Sequence, residues 1–154
     1  MALHRSFLRA TLLPLLISTG LITAPASGAQ HCSNKTTEGR YLVVCDGYLS
    51  LGPNAPLLPS KVLSVATADE KGTFRAANGK LSLGGTILDQ SVVGTEILNA
   101  DCTGTISYTQ TINGQPAPAL DIAFVVSHNG DKIDGISVNP GSVFSCHLTR
   151  LKEE

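Results

Sequence analysis

Residues 83–111 read LGGTILDQSVVGTEILNADCTGTISYTQT, and this stretch decides the fold. Its second half alternates with a period of two, with Ile106 and Tyr108 on one face and Thr or Ser on the other, as in a half-buried β-strand. The first half is also rich in β-formers. The letters NADCTG between them supply turn-forming Asn, Asp and Gly around Cys102. The stretch therefore predicts an antiparallel hairpin.

The rest of the chain after residue 38 repeats this plan of short apolar runs separated by Gly, Asn, Asp and Pro. The strands predicted outside the hairpin are 40–50, 61–68, 73–77 continuing to 83, 120–127, 133–138 and 143–151. The links predicted between them include loops at 52–59 and 113–118 and a turn or bulge at 78–79. Every link is short enough for a hairpin. We therefore expect an all-β antiparallel up-and-down barrel of about eight strands, with a β-sandwich as the alternative.

The first 29 residues have the layout of a secretory signal peptide. Arg5 and Arg9 give a positive start, an apolar run follows, and small residues precede a cleavage point near Ala29. The apolar run is about 13 residues and contains Pro14, so it is too short for a membrane anchor, which needs about 20. We expect one barrel domain at 30–154, secreted or periplasmic, with no stable membrane insertion of the mature chain.

The charge of the mature chain excludes some partners. Without Arg5 and Arg9, nine basic side chains stand against twelve acidic ones, a net charge of about −3. No cluster of Lys or Arg is present, so the sequence argues against nucleic acid or an anionic membrane as a partner.

All four cysteines lie in the predicted mature part, and an even number in an exported chain predicts two disulfides. The spacings contain no close pair of the kind that binds zinc, so we predict neither a metal nor a cofactor. Closing a barrel brings its first and last strands together, which favours Cys45 with Cys146. The remaining pair, Cys32 with Cys102, would tie the N-terminal segment to the hairpin turn.

Candidate site residues are polar side chains that share a face with core residues. The predicted ligand-binding set is Tyr108, Gln110, Gln90, Tyr41 and His128. A phenol and amides on an apolar wall are the usual means of orienting a bound molecule. The alternative is that Tyr108 packs with its hydroxyl at the rim and that the two glutamines point outward or bond to backbone. Small residues such as Ala66 and Ala68 are expected to leave space in the lumen.

Catalytic signatures are scarce. The chain contains no G-x-S-x-G elbow and no calcium loop. We therefore expect a barrel that binds a small hydrophobic or amphipathic ligand without changing it. One alternative is a cyclase or isomerase in which Tyr108, Gln110 or His128 steers a proton. Another is a cell-surface interaction module using the loops at 52–59 or 113–118. The sequence does not predict an oligomeric state.

Three segments carry a resemblance: GGTI at 84–87, GTEILNADCTGTISY at 94–108 and PGSVFSC at 140–146. Together they resemble a pattern found in small exported bacterial proteins with no established activity. The general shape is similar to calycin-like and allene-oxide-cyclase-like barrels, and this similarity implies a lumen that holds or rearranges a hydrophobic molecule. The early G-x-W of lipocalins is missing because the chain has no Trp. The resemblance therefore assigns no binding residue.

Overall fold

The computed structural model describes residues 31–52, 54–127 and 129–152 as a closed antiparallel barrel. Each strand pairs with the next in the chain, and the last pairs back with the first. The elements are α1 Asn34–Thr37, β1 Gly39–Leu49, β2 Leu58–Ala68, β3 Thr73–Leu83, β4 Thr86–Leu98, β5 Thr103–Ile112, β6 Gln115–Val126, β7 Lys132–Ser137 and β8 Ser142–Arg150. The predicted signal peptide and His128 lie outside the described residues.

The up-and-down barrel and both predicted disulfides are confirmed. Cys45 lies directly opposite Cys146 in the β1–β8 register, so their disulfide joins the two strands that close the barrel. The second disulfide joins Cys32 to Cys102. Disulfides of this kind are typical of proteins that fold in an oxidising compartment. Within the described ranges, no helix is long and apolar enough to cross a membrane.

Several predicted boundaries are wrong because the strands tolerate irregularities. The predicted loop at 113–118 is only a tight turn, and β6 already begins at Gln115. Pro118 fits within β6 because the β5–β6 register shifts beside it, at a bulge where a ladder N–H is not needed. Likewise β2 begins at Leu58, inside the predicted loop at 52–59. Of the two structures predicted for residues 78–79, a turn or a bulge, the bulge is the one found, within a continuous β3.

One end of the barrel is closed by residues 31–38, which we call the plug. The plug is held by the Cys32–Cys102 disulfide and by a hydrogen bond of 3.2 Å from the Cys32 N–H to the Ala100 carbonyl. Arg150, at the end of β8, donates to the Thr36 carbonyl across 2.7 Å. The chain enters β1 directly from the plug, so this end is covered by its own N-terminal segment. The opposite end of the barrel, which we call the far end, carries the β1–β2 loop and the turns at 84–85 and 113–114.

Four interior aromatic side chains pack against glycines on neighbouring strands. The cross-strand partners are Gly94 for Phe74 and Tyr108, Gly104 and Gly135 for Phe124, and Gly47 for Phe144. A Cβ at Gly94 would lie 2.6 Å from the Cβ of Tyr108, and one at Gly47 would lie 2.7 Å from the Cβ of Phe144. The glycines therefore make room for the rings inside a narrow barrel.

Candidate ligand-binding cavity

A small cavity lies inside the barrel between two groups of core residues, one toward the plug and one toward the far end. Its volume is about 70 Å³. Clefts for drug-sized molecules measure roughly 300–1,000 Å³, so this cavity suits a ligand of few atoms. The lining side chains are Val43, Cys45, Leu49, Ser60, Val62, Ser64, Phe74, Ala76, Leu81, Gln90, Val92, Ile106, Tyr108, Gln110, Leu120, Ile122, Phe144, Cys146 and Leu148.

The two glutamines form a hydrogen-bonded chain on one wall. Gln90 Nε2 donates to Gln110 Oε1 across 2.7 Å, and Gln110 Nε2 donates to the Pro118 carbonyl across 3.0 Å. This carbonyl belongs to the bulge in β6, where the regular β5–β6 register is interrupted. Gln110 therefore compensates for the bulge, which matches the alternative interpretation that it bonds to backbone.

Four polar groups on the wall lack a protein partner within the described ranges. They are the Tyr108 hydroxyl, Gln90 Oε1 and the hydroxyls of Ser60 and Ser64. None of these four groups is both inaccessible and unbonded, so each keeps some accessible surface. Since their residues line the cavity, each group can hydrogen-bond to a molecule bound there. Burial raises the pKa of Tyr108 well above its usual value, and the charge of Asp121 adds to this effect. Tyr108 therefore stays protonated at neutral pH and acts as a hydrogen-bond donor.

The opposite wall is apolar. In a barrel of eight strands, β1 and β8 lie across from β5 and β4, the strands that carry the glutamines. The wall on this side includes the Cys45–Cys146 disulfide, Leu49 and Phe144. The cavity therefore has one polar and one apolar side, an arrangement suited to an amphipathic molecule.

The structure brings together three of the five predicted ligand residues: Tyr108, Gln110 and Gln90. Tyr41 lies instead toward the plug, where its hydroxyl donates to the Gly130 carbonyl across 2.9 Å. The Arg150 guanidinium lies over its ring at 5.0 Å. This position gives Tyr41 a role in packing the plugged end rather than in the cavity. His128, the fifth predicted residue, lies outside the described part of the chain.

Sequence reasoning missed Ser60 and Ser64, although a signal was present. Both share the period-two face of Val62 and Ala66 in β2. The sequence also predicted open space beside Ala66 and Ala68. These residues are instead buried against other core side chains and do not line the cavity. The small residues that do line the open volume are Ser60, Ser64 and Ala76.

Charged groups lie away from the cavity. The inward-facing Glu96 is buried, but it bonds to Thr37 of the plug and does not line the cavity. Asp134 Oδ1 and His147 Nδ1 lie 2.6 Å apart, within hydrogen-bond distance, on the outer surface. In the described ranges, no three His, Cys, Asp or Glu side chains are grouped as a metal site would require.

Comparison of the chain with protein-family profiles, with curated proteins and with solved structures gave no match. The functional interpretation therefore depends on the cavity itself.

Proposed function

We propose that this protein is an exported barrel that binds a small hydrophobic or amphipathic molecule in its lumen without changing it. The observation that carries this proposal is the apolar cavity whose wall holds Tyr108 and Gln90 with polar atoms free of protein partners. A ligand with one polar group and an apolar body would satisfy those atoms and bury its remaining surface. Export through cleavage near Ala29 is part of the proposal, and the two disulfides support it.

Binding is favoured over isomerisation by the chemistry of the wall. No lining residue is a carboxylate, an imidazole or an amine in the described part of the chain. The phenol of Tyr108 has a raised pKa, so it can donate a hydrogen bond but is a poor source of phenolate base. A cyclase or isomerase would need a base of better-matched pKa beside it.

A second candidate function, an interaction module at the cell surface, is favoured by the outer face of β1 and β2. Leu42 pairs with Val65 there, and Val44 pairs with Leu63, which gives a cluster of aliphatic side chains outside the barrel. Clustered apolar surface of this kind marks interaction sites. If this is the function, Leu63→Asp should release the exported protein from cells, whereas filling the cavity should not.

The proposed binding can be tested by saturation-transfer NMR against a library of small fragments. Val92 and Val93 provide a matched pair, because Val92 lines the cavity and Val93 is 50% exposed on the outer face. We expect Val92→Phe to fill the cavity and abolish transfer to the fragments, and Val93→Phe to preserve it. If no fragment binds, or if both variants behave alike, the lumen is not a binding site.

A further inference from the structure

Resting on the proposed function, we infer that the cavity selects uncharged molecules with a hydroxyl group. The hydroxyl is held in a niche between Ser64 and Gln90, which line the cavity on the strands either side of Gly79. The remainder of the ligand extends toward the apolar wall that carries the disulfide.

The absence of charge on the described walls defines the first part of this selectivity. The lining side chains include no acid and no base. The buried carboxyl of Glu96 is engaged by Thr37. The guanidinium of Arg150 is engaged by the carbonyls of Thr36 and Gly130 at the plugged end. A carboxylate or ammonium ligand would lose its hydration and find no counter-ion, a cost that a neutral ligand avoids.

The niche itself comes from the bulge between β2 and β3. The register shifts between Leu63 and Val65, which leaves Ser64 beside Gly79 without a regular partner on β3. A Cβ at Gly79 would lie 3.0 Å from the Ser64 Cβ and 3.2 Å from the Gln90 carbonyl oxygen. There is thus no room for a side chain at position 79, and no side chain of β3 stands there between Ser64 on β2 and Gln90 on β4.

The hydrogen-bonding capacities of the niche match a hydroxyl. The Ser64 hydroxyl can donate, and Gln90 Oε1 can only accept. The amide nitrogen of Gln90 is already bonded to Gln110, which fixes the orientation of the amide. A ligand hydroxyl accepts from Ser64 and donates to Gln90. A ketone or ether could only accept, and it would leave Gln90 Oε1 unsatisfied.

The experiment is an NMR titration that follows the backbone amides of the cavity walls. The probes are n-butanol, n-butyl chloride, pentanoate and n-butylammonium, which carry the same butyl chain and differ only at the terminal group. We expect n-butanol to bind most tightly and each ion at least roughly a hundredfold more weakly. Ser64→Ala should weaken n-butanol by roughly threefold to tenfold and leave n-butyl chloride unchanged. Ser91→Ala, on the outer face beside Gln90, is the control and should change neither.

The outcomes separate the two proposals. If either ion binds in the cavity as tightly as n-butanol, the charge selectivity is wrong while the binding function stands. If n-butanol and n-butyl chloride bind equally and Ser64→Ala changes nothing, the niche is not the hydroxyl subsite. If neither neutral probe shifts the cavity amides, the binding function is overturned together with this inference.

Discussion

The hydroxyl of Thr37, in the plug, lies against the carboxyl group of Glu96 in β4. Both residues are buried, at 0% and 4% exposure. The same hydroxyl lies 2.9 Å from the Asn34 carbonyl, so its single proton faces two acceptors. Both contacts become hydrogen bonds when Glu96 is protonated and donates to Thr37 while Thr37 donates to Asn34. Burial raises the pKa of Glu96, and the charge of Asp69 adds to this effect. A hydrogen bond donated by Thr37 to the ionised carboxylate acts in the opposite direction.

Glu96 should therefore make the stability of the protein depend on pH. The unfolded chain loses this proton near pH 4.5, but the native state retains it to higher pH. The free energy of unfolding then falls as pH rises above 4.5, and it levels off above the native pKa. Urea unfolding of the wild type and Glu96→Gln across this range would measure the effect. The advantage of the wild type over the variant should decrease as pH rises.

The difference between the two proteins is the informative quantity. The Thr73 backbone N–H donates to Asp69, and the Thr103 hydroxyl and backbone N–H donate to Asp101, which lowers the pKa of both carboxyl groups. These shifts act in the opposite sense, since their contribution to stability is lost as pH falls. Both are present in wild type and variant, so their effects cancel. A difference that is constant with pH would contradict protonation of Glu96.

Gly130 should be among the least replaceable residues at the plugged end. Its φ is +74°, and a Cβ there would collide with the Thr36 carbonyl oxygen of the plug. Gly114 has φ +75° but no atom within 4 Å of its Cβ position, so it is a matched control. We expect Gly114→Ala to cost about 1 kcal/mol in backbone strain and Gly130→Ala at least about 1 kcal/mol more. Equal losses in thermal unfolding would mean that the plug does not contact Gly130.

The disulfide between Cys45 and Cys146 should stabilise the closure of the barrel. It joins residues 101 apart, and loops of this length restrict the unfolded chain by about 4 to 5 kcal/mol in the chain-entropy account. We expect the Cys45→Ala, Cys146→Ala double variant to lose several kcal/mol in denaturant unfolding. The Cys32→Ala, Cys102→Ala variant should lose a similar amount but expose mainly the plug to hydrogen exchange. Uniform exchange in both variants would contradict separate roles.

Gln110 should contribute to stability through the bulge. Gln110→Leu would leave the Pro118 carbonyl and one N–H of Gln90 without partners. An unsatisfied buried polar group costs about 1–3 kcal/mol, so we expect a loss in that range. Gln115→Leu, at an exposed position, should change the free energy of unfolding by less than about 0.5 kcal/mol. A comparable loss in the two variants would show that the glutamine chain is unimportant.

The strand pattern predicted the fold because each side-chain alternation corresponds to an inner and an outer face. The alternation around Tyr108 correctly predicted that this residue and Gln110 face the interior. The expectation that a closed barrel pairs its first and last strands correctly predicted the Cys45–Cys146 disulfide. The bulge in β6 was harder to predict, since Pro116 and Pro118 indicated a loop and gave no sign that β6 continued through them. Bulges depend on pairing with a neighbouring strand, which periodicity within one segment does not report.

The plug and the cavity depended on contacts that the sequence alone does not specify. The α1 turn has four residues, too few for a helical pattern. Glu96 shares the inner face of Gln90 and Val92, but a carboxylate side chain at a strand end is ordinarily exposed to solvent. The cavity volume depends on side-chain packing around the rings, so only the residue types of its walls could be predicted.

The pairing of Phe74, Tyr108, Phe124 and Phe144 with glycines offers the lumen a simple way to change shape. Phe144 fills its space against Gly47, a neighbour with no side chain to rearrange. Exchanging that ring for a branched aliphatic group would enlarge the chamber beside the Cys45–Cys146 disulfide while the hydrogen-bond ladder stayed the same. Barrels diverging from this one could thus reshape the lumen one ring at a time, on an unaltered backbone.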